Sequence, residues 1–89
     1  MTIMTLRIIN EKGLHARASA RFVEVVEEHD AAARVSRDGM TVSGDSIMGL
    51  LMLAASRGTT IEVETAGPQE AELAAALTAL VADCFGEDG

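Results

Sequence analysis

Tryptophan and tyrosine are absent, and Phe22 and Phe85 are the only aromatic residues in the chain. So few rings argue against a base-stacking platform for single-stranded nucleic acid. Positive charge is scarce as well. Seven Lys and Arg stand against 14 Asp and Glu, a formal net charge of −7, which repels phosphate backbones and argues against any nucleic-acid partner. The same imbalance suits a partner protein that carries a positive patch. The single cysteine, Cys84, cannot form an internal disulfide and reads as a buried structural thiol within a helical pattern. No apolar run approaches the roughly 18–20 residues of a membrane span, and no basic segment followed by an apolar one opens the chain. A soluble, cytoplasmic protein with no membrane insertion, metal site or cofactor is expected.

What is present fits one small domain over residues 1–89, with 48% apolar residues for its core. In Thr2–Ile9, Met4, Leu6 and Ile8 alternate with Thr5 and Arg7, the pattern of a half-buried strand, and residues 10–13 lead out of it. A helix is predicted from Ala16 to about Glu28, with Ala18, Phe22, Val25, Val26 and His29 on one side. Arg17 and Arg21, four apart, share a stripe at its start, and Arg21 is also placed to pair with Glu24. His29, at the far end, suits the negative pole of the dipole. Asp38-Gly39 between Arg34–Arg37 and Met40–Ser43 predicts a tight hairpin. Ser46 is placed to cap a short helix beginning at Ile47. Ile47, Met48, Leu50, Leu51, Met52 and Leu53 cannot all be buried on one side of it, so an exposed apolar patch is expected, a docking surface made adaptable by its methionines. Thr60–Thr65 reads as a strand. Gly67-Pro68 then opens a last helix with proline at its first position, buried along Leu73, Leu77, Leu80 and Cys84 with Val81 and Phe85 beside them, and residues 86–89 read as a frayed end. Strand, helix, strand, strand, short helix, strand, helix predicts an α+β fold, an antiparallel sheet with helices on one face.

Chemistry concentrates in Gly13-Leu14-His15-Ala16-Arg17. The first turn of a helix offers unpaired N–H groups and the positive end of the macrodipole, which favour an anion such as phosphate. A histidine there can hold a phosphoryl group covalently while the Ala16 and Arg17 amides and the Arg17 guanidinium cradle its oxygens. Imidazole has an unperturbed pKa of roughly 6.5, so much of it is a neutral nucleophile near pH 7. The helix terminus and Arg17 add to that by disfavouring the protonated ring.

This run, together with Ser43-Gly44-Asp45-Ser46-Ile47-Met48-Gly49 about thirty residues on, resembles the HPr family, the histidine-containing phosphocarriers of the bacterial phosphotransferase system, over nearly the whole chain. Two positions depart from the family pattern: Ala18 stands where proline is usual, which should loosen the first helical turn slightly, and Asp45 where lysine is common. The resemblance implies an HPr-like open-faced β-sandwich, βαββαβα, with a four-stranded antiparallel sheet and three helices on one face. It implies a carrier rather than a turnover enzyme, with His15 accepting a phosphoryl group from phosphorylated enzyme I, in the family through the delta nitrogen, and passing it to enzyme IIA-type proteins. It further implies docking through Ile47, Met48 and Leu51 with Ala20 and Arg21, a monomeric state, and regulation by an HPr kinase/phosphorylase at Ser46. A phosphate there adds about −1.5 to −2 charge, tolerated at a helix start but repelling an acidic partner. The site residues are common to sugar-uptake and nitrogen-regulatory carriers. A regulatory binding module using Ser46 and the apolar patch, without relay through His15, is the alternative, and a small metabolite-binding domain is a remoter one.

Overall fold

In the computed structural model, which describes residues 1–87, the chain opens with β1 (Thr2–Arg7), whose alternation turns Leu6 into the core and leaves Thr5 and Arg7 outside. There follow α1 (Ala16–Glu27), β2 (Ala32–Arg37), β3 (Met40–Ser43), α2 (Ile47–Met52), β4 (Thr60–Ala66) and α3 (Glu70–Ala82). The strands lie in the order β1-β4-β2-β3, every pairing antiparallel. This is an α+β fold, a four-stranded antiparallel sheet with three helices. The β2–β3 hairpin turns at Asp38 and Gly39, both at positive φ (49° and 81°), which matches the right-handed twist of the flanking strands.

Register puts apolar residues opposite one another on the helix side of the sheet: Leu6 faces Ile61, and Val63 lies between Met4 and Val35. A one-residue slip would turn that whole set to solvent, so burial and register enforce each other. Phe22 of α1, Leu50 of α2, and Leu73 and Leu77 of α3 close the core from the other side, all fully buried. Each such side chain contributes about 1.5–3 kcal/mol through removal from water. Arg37, on β2, donates to the Leu53 carbonyl at 2.9 Å, giving the end of α2 a cation where its dipole is negative.

Four local expectations are corrected. On α1 the buried stripe includes Ser19 and Val23, while Val25 is only half-buried; α1 packs against α2 and α3, contacts that periodicity alone does not weigh. Pro68 is not the first helical residue. Gln69 is the N-cap and α3 begins at Glu70, because the Gln69 side chain and amide are committed to the loop after α1, accepting from the Asp30 N–H at 2.7 Å and donating to the Asp30 carbonyl at 3.0 Å. Cys84 is half-buried rather than buried and lies beyond the end of α3, in a tight turn over Cys84–Gly86. Gly86 and Glu87 are not frayed: the Gly86 N–H donates to the Asp83 carbonyl and the Glu87 N–H to that of Cys84, each at 2.9 Å. Asp88 and Gly89, also assigned to the frayed end, lie outside the described residues.

Candidate functional site

The loop from β1 to α1 is pinned along its length. The Ile8 N–H donates to the Thr59 carbonyl, the Gly58 N–H to that of Ile8, and the Leu14 N–H to that of Ala55, all at 2.7–2.8 Å. Between these anchors Gly13 takes a φ of +65° against the backbone of Ala55 and Ser56. Asn10 is completely buried; its Nδ2 donates to the Gly13 carbonyl at 2.8 Å. Leu14 is buried, so the chain arrives at residue 15 with no freedom to swing.

His15 is the N-cap of α1, in extended backbone (φ −81°, ψ −174°). Its carbonyl accepts the first helical bond from the Ser19 N–H at 2.8 Å, and its Nδ1 accepts from the Arg17 N–H at 3.3 Å. The ring performs the task usually given to a serine or aspartate at this position. It does not point into the interior: about a quarter of the side chain (27%) is exposed, and Ala16 and Arg17 beside it are exposed. The first turn forms with Ala18 in the place of the family's proline, and Ala18 is fully buried.

The other ring nitrogen meets a residue that sequence reasoning missed. Nε2 contacts the carboxylate of Glu87, whose second oxygen accepts from Asn10 Nδ2 at 3.0 Å. Burial pushes the Glu87 carboxyl up, but hydrogen bonds from Asn10 and His15 and the charges of His15 and Lys12 outweigh it and hold the carboxyl below its ordinary value. Its ionised form is therefore bound more tightly by the folded chain than by the unfolded one. That contribution to stability is complete above about pH 4.5 and is lost as acid passes through the lower, folded value. Thermal melts of the wild type and Glu87→Gln should differ near neutrality and converge in acid; a constant gap at every pH would contradict the assignment. No local signal could have revealed this contact, since 72 residues separate its partners.

Beside the histidine lies a cavity of about 450 Å³ lined by Glu11, Lys12, Arg17, Arg21, Phe85, Gly86 and Glu87. Arg17 and Arg21 share it as their common stripe implied. Among the described residues Arg21 forms no ion pair with Glu24; its guanidinium lies against Gly86 instead. The three cations among its lining residues, Lys12, Arg17 and Arg21, suit the oxygens of a phosphoryl group. His29 lies just beyond the C-terminal end of α1, its Nδ1 donating to the Val25 carbonyl of the last turn at 2.8 Å.

Ser46 caps α2, its Oγ accepting from the Gly49 N–H at 3.0 Å. Ser46→Ala should cost about 1 kcal/mol, read as a small fall in denaturation midpoint. Asp45, next to it, accepts from the Ser43 hydroxyl. Of the docking residues inferred, Ile47 and Met48 are exposed (40% and 69%), Leu51 is half-buried, Ala20 is half-buried and Arg21 exposed. Met52, at 63%, extends the patch beyond the residues singled out. Among the described residues no group of three or more His, Cys, Asp or Glu could hold a metal, and no helix is long and apolar enough to cross a membrane.

A family model described as the PTS HPr component phosphorylation site matches residues 4–83. The chain belongs to the HPr family. It is a phosphoryl carrier of the phosphotransferase system, and its relatives include carriers of two names. It is 47% identical over 87 residues to the phosphocarrier protein HPr of Neisseria meningitidis serogroup A, covering 98% of each chain. It is 40% identical over 90 residues to the phosphocarrier protein NPr of Escherichia coli K12, covering 99% of this chain and all of that one. The crystal structure of HPr-C-His from Thermoanaerobacter tengcongensis superposes with a TM-score of 0.94 at 35% identity, each chain covered in full. The open-faced architecture expected from the motifs is thus the one observed.

Proposed function

We propose that His15 is the phosphoryl acceptor, that it reacts through Nδ1 with phosphorylated enzyme I, and that it passes the group to enzyme IIA-type acceptors in the cytoplasm. One observation carries the reading: Nδ1 faces the amide of Arg17 at the mouth of α1. A lone pair that accepts an N–H bond is unprotonated, hence nucleophilic. As the bond from Nδ1 to phosphorus forms, the donor's bond to phosphorus breaks and its electron pair leaves with the donor. The Arg17 N–H, released from Nδ1, is then free to donate to a phosphoryl oxygen, and the guanidiniums of Arg17 and Arg21 supply charge. Retention has to stay moderate in a carrier, since each 1.4 kcal/mol of excess stabilisation shifts the transfer equilibrium about tenfold. The residues cover a single unit, 1–89, with Ile47, Met48, Leu51, Ala20 and Arg21 meeting the partner.

Ser46 is a second modification site in this reading, the target of an HPr kinase/phosphorylase. A phosphate on its hydroxyl would stand beside Asp45 and the exposed Ile47 and Met48, turning an apolar patch against acidic partners. Incubation with cognate enzyme I and phosphoenolpyruvate should add one acid-labile phosphoryl group. Failure with a competent enzyme I would favour a binding module without relay. Kinase and ATP should add an acid-stable phosphate that Ser46→Ala loses; its absence would remove Ser46 from the scheme.

A further inference from the structure

The short helix α2 sorts its apolar side chains by chemistry. Leu50 is fully buried and Leu51 half-buried, while the two thioethers, Met48 and Met52, stand 69% and 63% exposed. Four residues apart, they share one face of the helix, with Cβ atoms about 5–6 Å from each other. Met4 is placed differently. It is half-buried against the core, and its sulfur accepts from the Thr78 hydroxyl at 3.2 Å. The thioethers most open to solvent within the helical layer are thus the ones on the patch that carries Ile47 and Leu51.

We propose that Met48 and Met52 form a modification site, where a peroxide oxidises the thioethers to sulfoxides and so weakens docking on α2. In the step a sulfur lone pair attacks one peroxide oxygen, the O–O bond breaks, and the other oxygen leaves with its electron pair as hydroxide. The proton on the transferred oxygen passes to that hydroxide, so the products are a sulfoxide and water. Sulfur is oxidised and peroxide reduced by the same electron pair. Hydrogen peroxide is uncharged, and the net charge of −7 does not repel it. The product presents a different surface. A flexible apolar side chain that fills irregular gaps becomes polar and chiral. Pressed against an apolar partner, the new oxygen finds no donor, and its desolvation opposes binding. The fold is not at stake, because both side chains lie outside the buried core. Dithiol-dependent reductases return the sulfoxide to the thioether, which makes the change reversible.

The effect on docking rests on Met48 meeting the partner; the order of oxidation does not. After brief treatment of the intact chain with hydrogen peroxide, peptide mass mapping should find one added oxygen at Met48 and at Met52 about tenfold sooner than at half-buried Met4. The Kd for enzyme I, measured by titration calorimetry, should rise about tenfold, the change that about 1.4 kcal/mol corresponds to. Methionine sulfoxide reductase with dithiothreitol should restore it. The Met48→Leu, Met52→Leu double variant keeps Met1, Met4, Met40 and Cys84, and peroxide should leave its Kd where it started, whatever that value is. A double variant that responds as the wild type does would place the sensitive group elsewhere and overturn the proposal, as would oxidation of Met4 as fast as of Met48. Met48→Asp tests the docking role alone, setting charge on the same patch without an oxidant. If it weakens binding and the sulfoxides do not, the oxidation proposal falls and docking through Met48 stands. If neither weakens binding, docking through Met48 falls and takes the proposal with it.

Discussion

His15→Ala should take up no acid-labile phosphoryl group from enzyme I, while losing about 1 kcal/mol of stability as an N-cap is removed, together with whatever its contact to Glu87 contributes. The contrast between the two effects is the point. In the folded chain the imidazole lies partly exposed at the helix mouth and outside the hydrophobic core, so its loss leaves the core of Phe22, Leu50, Leu73 and Leu77 intact. What disappears is, among the described residues, the one imidazole at a helix N-terminus, with the guanidiniums of Arg17 and Arg21 in the cavity beside it. His29 cannot take over. Its Nδ1 is engaged with the Val25 carbonyl at the end of α1, where the dipole is negative and a phosphoryl group would be repelled. Intact mass before and after acid treatment, with a denaturation curve on the same sample, measures both effects. Retention of acid-labile phosphate by the variant would move the acceptor elsewhere.

Gly13→Ala should damage both stability and transfer. A Cβ at this position would lie 2.5 Å from the Ala55 carbonyl oxygen and 2.8 Å from the Ser56 Cα, neither of which is a flexible side chain. That same carbonyl accepts the Leu14 N–H at 2.8 Å, so relief of the clash breaks the bond that leads the chain into His15. Left-handed backbone costs a non-glycine residue roughly 1–2 kcal/mol, and a lost hydrogen bond about 1 more. A total near 2–3 kcal/mol would be a large share of the roughly 5–15 kcal/mol that holds a small domain folded. Gly39→Ala is the control. Gly39 also has positive φ (81°) but nothing lies within 4 Å of its missing Cβ, so it should show the strain without the clash and transfer phosphate at the wild-type rate. Equal stability and equal uptake rates in the two variants would show that the close approach at Gly13 does not position the histidine.

Most of the architecture was legible in the residues because its signals are local. Alternation of Met4, Leu6 and Ile8, the helical spacing of Ala18, Phe22 and Val26, Asp-Gly at the hairpin and Ser46 before an apolar run each depend on neighbours within a turn or two. The residues proposed to carry the chemistry, His15 and Arg17, were legible for the same reason, as they share one helix start. The errors fall where a side chain had to choose between a near and a distant partner. Gln69 bonds across to Asp30 and so delays α3 past Pro68; Arg21 turns from Glu24 toward Gly86.

By itself, then, the sequence determined the order of elements, the alternation that buries one face of each strand, and a histidine set at the open amides of α1. Only the tertiary structure decided what stands on the other side of that histidine. Glu87 reaches it because the core seats Phe85 and bends the chain back through a left-handed turn, and no spacing along the sequence encodes a contact made by folding the two ends together.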